Sequence, residues 1–271
     1  MRHLINYLTG HRIGVIIYIM EIKMKDVVLD VVKHTAGLGF IESVKVTGTD
    51  EETRIDAMDT DRTVILNAKL HTQVPDLMGE FGMGNLSFLN GISHLPNYKE
   101  DNATIKVVRR DRNGEEQPEN LLFEDANGNT DTYRFMSKQI VEQQLKTAVF
   151  KGANWNVTFQ PTKQKVSELT MVASIYATID PTFKVKTEKD DLIILIGAGA
   201  GASHTGRRVF ANNVEGSLTE GWSWPLNQVL SILKLGMSGI CVVQISEQGA
   251  LQIIIDSGIG AYNYILPALA R

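Results

Sequence analysis

The stretch of this chain best suited to chemistry is 192–201, where Leu-Ile-Ile-Leu-Ile runs into Gly197-Ala198-Gly199-Ala200-Gly201. A strand opening into alternating glycines fits the phosphate-binding turn of a dinucleotide fold, provided a helix N-terminus comes next to hold the pyrophosphate. Here the glycines lead instead into Ser203-His204-Thr205-Gly206, then the strand-like Arg207-Arg208-Val209-Phe210. No acidic strand end stands about 20 residues further on. The segment reads as a loop between strands, with a nucleotide-dependent enzyme using Gly197 to Gly201 as the alternative. The other reactive side chains do not converge. The six histidines, His3, His11, His34, His71, His94 and His204, lack metal-ligand spacing. Ser203-His204 has no third member to make a triad, and Asp59 with Asp61 fits a corner between strands. The single cysteine, Cys241, sits in the apolar run 240–243 and reads as a core thiol in a reducing compartment. No catalytic residue, metal or cofactor is expected.

The elements around these residues carry more information. Over 271 residues the net charge is −4, which argues against a protein coated in basic charge but allows lysines gathered on one surface. The apolar stretch 14–20 is far shorter than the roughly 20 residues of a membrane-spanning helix, so no membrane partner is expected. Residues 1–23 read as an N-terminal extension, and the chain as cytoplasmic. From residue 24 onward the order of elements is duplicated. An amphipathic helix at 27–34 precedes strands at 43–46, 53–58 and 63–70, then a helix at 86–95, a strand at 103–108 and a hairpin around Asn127-Gly128. The second copy has a helix at 166–176, strands at 183–187, 192–196 and 207–211, a helix from Pro225 to residue 235, and a closing hairpin around Gln248-Gly249. This predicts an α+β fold with helices on one face of antiparallel sheets. The expected division is 24–135, a connector at 136–154, and 155–271.

The outward helix faces are short, polar and basic where charged: Asn227, Ser231 and Lys234; Lys163, Ser167, Thr170 and Ser174; Ser87, Asn90, Gly91 and His94. The first helix mixes Asp26 and Asp30 with Lys33. Such faces suit a surface lying near phosphates without reading bases, or a plainly solvated one.

The C-terminal run 255–268, Ile-Asp-Ser-Gly-Ile-Gly-Ala-Tyr-Asn-Tyr-Ile-Leu-Pro-Ala, resembles the last strand and tail of DNA polymerase sliding clamps of the proliferating-cell-nuclear-antigen (PCNA) type. The Met58-Asp59 corner within 55–65 and the lead-in Phe81-Gly82-Met83-Gly84-Asn85-Leu86 resemble the same family. The phrasing is similar to clamps of T-even-like bacteriophages, and the resemblance spans about residues 24–268. It implies a homotrimeric ring of six alike domains, sheets outside and helices lining the hole, which tethers the replicative DNA polymerase to double-stranded DNA after a clamp loader has placed it. A structural virion protein is the remaining alternative. By the resemblance, Lys25, Lys33, His94, Lys163, Lys165 and Lys234 would face phosphates. A partner-peptide pocket would draw on Met58, Arg62, Ile65, Tyr264 and Pro267, with Ile140 and Leu145 of the connector as walls.

Overall fold

The computed structural model describes residues 23–112, 114–145, 150–197, 204–219 and 221–269. All but Lys23 of the expected N-terminal extension, and residues 198–203 of the glycine-rich loop, lie outside the described residues.

The first half opens with α1 (Met24–His34), which buries Val27, Val28, Val31 and Val32 at helical spacing. Four strands succeed it: β1 (Val44–Gly48), β2 (Thr53–Met58), β3 (Ile65–Leu70) and β4 (Gly79–Met83). Then come α2 (Leu86–Ser93), the single turn α3 (Pro96–Lys99), and β5 (Thr104–Arg112), β6 (Glu115–Glu124) and β7 (Thr130–Arg134). The connector region contains a helix that the sequence did not announce, α4 (Lys138–Gln144). The second half has β8 (Val157–Phe159), α5 (Lys163–Tyr176), β9 (Thr182–Glu188), β10 (Asp191–Ile196), β11 (Gly206–Ala211) and β12 (Trp222–Pro225). It closes with α6 (Leu226–Gly236), β13 (Ile240–Ser246), β14 (Ala250–Asp256) and β15 (Gly260–Pro267). Pro225 caps α6 rather than opening it. No helix among the described residues is long and apolar enough to cross a membrane.

The strands form three antiparallel sheets, ordered β4-β1-β2-β3-β15-β14-β13-β8, β11-β10-β9-β12 and β5-β6-β7. The eight-stranded sheet runs through both halves because β3 pairs with β15, with Leu66 opposite Tyr264 and Ala68 opposite Tyr262. Along β1 to β3, and over most of β13 to β15, buried residues alternate with exposed or half-buried ones, while β15 ends with Tyr264, Ile265 and Leu266 all buried, so one face of the sheet carries the core. The helices cover that face.

A buried polar cluster locks α1 of the first half onto β15 of the second. Tyr262 and Ser257 both donate to Asp30 Oδ2, at 2.7 and 2.8 Å. Tyr264 donates its hydroxyl hydrogen to the His34 carbonyl at 2.8 Å. The 3.2 Å contact from His34 Nδ1 to the same hydroxyl then needs the ring proton on Nδ1. His34 stacks on Tyr262 with centroids 4.1 Å apart. Its Nε2 has no hydrogen-bond partner among the described residues and lies 3.7 Å from Asp30 Oδ1. Burial is the main cause that lowers the His34 pKa, to about 4, with Asp30 pulling the other way.

Candidate functional site

The helices that cover the sheets, α1, α2, α5 and α6, turn polar residues away from them, and on α2 and α5 the outward side also exposes Phe88, Met171 and Ile175. On α6, Leu226, Val229, Leu230, Ile232 and Leu233 are buried while Asn227 and Lys234 are exposed and Ser231 is half-exposed. Lys33, Lys163 and Lys234 are exposed and have no carboxylate partner among the described residues, and the exposed Asp26 has no cation partner. His94 is exposed and its Nδ1 contacts the Asn90 carbonyl at 2.9 Å. Lys33 donates to Ser238 Oγ at 3.5 Å, and two further expected phosphate-facing lysines are engaged more closely. Lys25 donates to the Glu100 carbonyl at 2.7 Å, and Lys165 pairs with Glu168 at 3.3 Å, one turn along α5. The helix strips therefore carry a small free positive balance with few acids.

On the opposite face, Met58, Arg62 and Leu145 line one cavity of about 380 Å3, joined by Glu42, Asp56 and Gln144. The corner beneath it is held by Asp59, which accepts from Thr63 Oγ1 at 2.6 Å and Val64 N at 2.7 Å. Arg62 takes a left-handed backbone, φ 57°, and projects beside it with no carboxylate partner among the described residues. Ile65 pairs with Met58 across β2 and β3, so it shares the outward face without lining the cavity. Three expectations separate here. Tyr264 is fully buried on the helix side, since it alternates with the outward Ile265 and packs against His34. Ile140 lines a different cavity of about 330 Å3, with Pro118, Arg134 and Met136, because α4 turns it away from Met58. Pro267 is exposed at the end of β15, opposite Ala250.

Backbone proximity seats α4. A Cβ built on Gly82 of β4 would lie 2.8 Å from Val141 Cγ2 and 3.2 Å from Leu145 Cδ1. Met136 bridges to Gly82 through paired backbone bonds of 3.0 and 2.7 Å.

Gly197 and Cys241, two of the residues that invited catalytic readings, have structural explanations. Gly197 has φ 69°, and a Cβ there would meet the His204 carbonyl at 2.2 Å. The glycine at 197 is thus explained by its left-handed backbone and its close approach to the His204 carbonyl. Burial pushes the Cys241 thiol up to about 11, which keeps it protonated. Among the described residues no group of His, Cys, Asp and Glu could hold a metal.

No family model and no curated protein sequence matches this chain. Solved structures do. PCNA from Thermococcus kodakaraensis superposes with a TM-score of 0.66 at 10% identity, over 89% of this chain and 97% of that one. This chain has the sliding-clamp fold. A. fulgidus PCNA, solved with the C-terminal region of FEN-1 bound, gives 0.65 at 9% identity over 92% of this chain and 97% of that one. The clamp fold explains the duplicated order of elements and the helices gathered on one side. At such identity the fold is preserved by burial pattern and strand register rather than by particular side chains.

Proposed function

We propose that this protein is a DNA sliding clamp: three copies close into a ring whose helices face duplex DNA, and partners dock on the outer sheets. In this reading residues 24–135 and 155–271 are two clamp domains, joined by the connector 136–154. The protein is a non-enzymatic processivity factor, placed by a clamp loader and used by a replicative polymerase in the cytoplasm, where its DNA lies.

The observation that carries the reading is a matched pair of open edges. Within the chain, the third strand of the first half, β3, pairs with the last strand of the second half, β15. The corresponding strands left over are β11 and β7, and each ends its sheet with one side unpaired among the described residues. Large apolar side chains stand exposed beside both edges. Met171 and Ile175, each 68% exposed, lie near the end of α5, where Tyr176 reaches the Thr205 carbonyl next to β11. Phe88, 51% exposed, stacks near Tyr133 of β7. Open edges flanked by apolar surface invite pairing. A head-to-tail contact of this kind closes when its rotation completes a circle.

The DNA-facing strip is expected to act through charge alone. Lys33→Ala, Lys163→Ala and Lys234→Ala combined should weaken retention on DNA and reduce the slope of log affinity against log salt by about 0.9 per lost phosphate contact. A titration at several salt concentrations measures both. Encirclement itself is tested topologically. Loaded on a circular plasmid by a clamp loader, the protein should stay through gel filtration in high salt and leave once a restriction enzyme linearises the plasmid. Equal loss from circle and line contradicts the ring.

A further inference from the structure

We propose that the subunit joint of this ring is an antiparallel pairing of β7 with the next copy's β11 in one fixed register, with Asp131 set opposite Arg208. The proposal rests on the ring reading above and adds the register and the charge pair.

The register is fixed by analogy with the joint that the chain makes with itself. In the first half, Val46 pairs with Ile55, and Ile55 with Ala68. In the second, Val185 pairs with Ile194, and Ile194 with Arg208. Val46 and Val185 are equivalent buried residues of β1 and β9, so Arg208 occupies the place of Ala68. The other partner is found in the same way. Ile255, one residue before the end of β14, pairs with Tyr262, and Ile253 with Tyr264. Phe123, one residue before the end of β6, pairs with Asp131, and Leu121 with Tyr133. Tyr133 thus stands for Tyr264, and both hydroxyls reach a backbone carbonyl, Gly84 and His34 respectively. Asp131 stands for Tyr262. Because Tyr262 faces Ala68 and Tyr264 faces Leu66 inside the chain, Asp131 faces Arg208 and Tyr133 faces Gly206 between chains.

The side chains fit this placement. Arg208 lies on the helix-covered side of an open edge, half-buried, and donates to the Arg207 carbonyl at 2.9 Å. It has no carboxylate partner among the described residues, because Glu188 is taken by Arg207 at 2.6 Å and Lys186 at 2.9 Å. Asp131 is half-buried on the matching side of β7 and accepts one hydrogen bond, from Tyr98 at 2.8 Å. A carboxylate accepts several donors, so room for a guanidinium remains. The two joints of the ring then differ in kind. The joint within the chain is sealed by the tyrosine, histidine and aspartate cluster, and the joint between chains has an ion pair at the equivalent position. Salt should therefore loosen the second and spare the first.

Charge exchange tests the register. In light scattering across a dilution series, Asp131→Arg and Arg208→Asp should each raise the midpoint of ring dissociation at least tenfold. The double variant Asp131→Arg/Arg208→Asp should return it to within threefold of the parent. On the outward face, Thr132→Cys with Arg207→Cys should form an intermolecular disulfide under oxidation, while Thr132→Cys with Arg208→Cys should not. A parent protein that is monomeric at every concentration overturns the ring and the joint together. A ring that forms normally, with no restoration in the exchanged pair and no Thr132–Arg207 crosslink, overturns this register and leaves the ring standing.

Discussion

Gly82→Val is expected to lift α4 off the sheet and weaken partner binding in the outer cavity by about tenfold or more, while the ring survives. A single Cβ at this position already falls 2.8 Å from Val141 and 3.2 Å from Leu145 and from Met136. Valine adds two further methyl groups. Overpacking of this kind costs roughly 1–3 kcal/mol, and α4 can escape it cheaply because Val141 is the one buried residue of that helix. The strain is therefore expected to appear as undocking rather than unfolding. Leu145 and Gln144 leave with α4, and with them one wall of the cavity that holds Met58 and Arg62. Hydrogen exchange over residues 138–145 should accelerate. The affinity of a labelled peptide selected against the parent protein should fall, with thermal stability and oligomeric mass little changed. Shaving the nearest atom with Val141→Ala should restore part of the peptide affinity in the Gly82→Val background. Unchanged exchange and affinity in Gly82→Val would show that the connector does not shape this site.

Tyr262→Ala should cost about 4 kcal/mol, within the range for deleting a buried aromatic ring. It removes a fully buried ring stacked on His34 and takes away the hydroxyl that donates to Asp30. Denaturant unfolding should show a lower midpoint. The same cluster gives the protein an acid sensitivity with a defined direction. His34 titrates at about 4 in the folded chain, chiefly because burial disfavours its charged form, and near 6.5 when unfolded. Between those values the unfolded chain binds more protons, so stability rises with pH across that window. This contribution is complete above about pH 6.5 and is lost as pH falls toward 4. The groups facing His34 are Asp30 and Lys33 of its own helix with Tyr262 and Tyr264 of β15. Replacing His34 with glutamine should flatten the stability profile between pH 4 and 6.5. A profile that keeps its slope would assign the acid sensitivity to other groups.

The helices and strands were legible where one face of an element is buried and the other is not. Val27, Val28, Val31 and Val32 declare α1, and the period-two burial of β1 to β3 matches the alternation in the sequence. The same alternation could have placed Tyr264. It shares its face with Tyr262 and Leu266, which are buried, and not with Ile265. The tail motif drew it to the outer pocket instead. α4 was not legible, because a seven-residue helix with one buried side chain is held by a glycine on a distant strand. Met171 and Ile175 could have been read from the helical wheel of α5, since both fall on the strip with Ser167 and Ser174. They stand exposed near the open edge of β11, where Tyr176 reaches the Thr205 carbonyl. The ion pair of Lys165 with Glu168 reflects their spacing of three along a helix. The contact of Lys25 with Glu100 depends on the turn after α3 and has no local signature.

If three copies close into a ring with the helices inward, cryo-electron microscopy of the purified protein should show closed particles of three chains and six lobes, with α1, α2, α5 and α6 around an open hole and α4 on the rim outside. Closed particles with Lys163 and Lys234 on the outer surface, or single chains at micromolar concentration with the edges of β7 and β11 still bare, would contradict it.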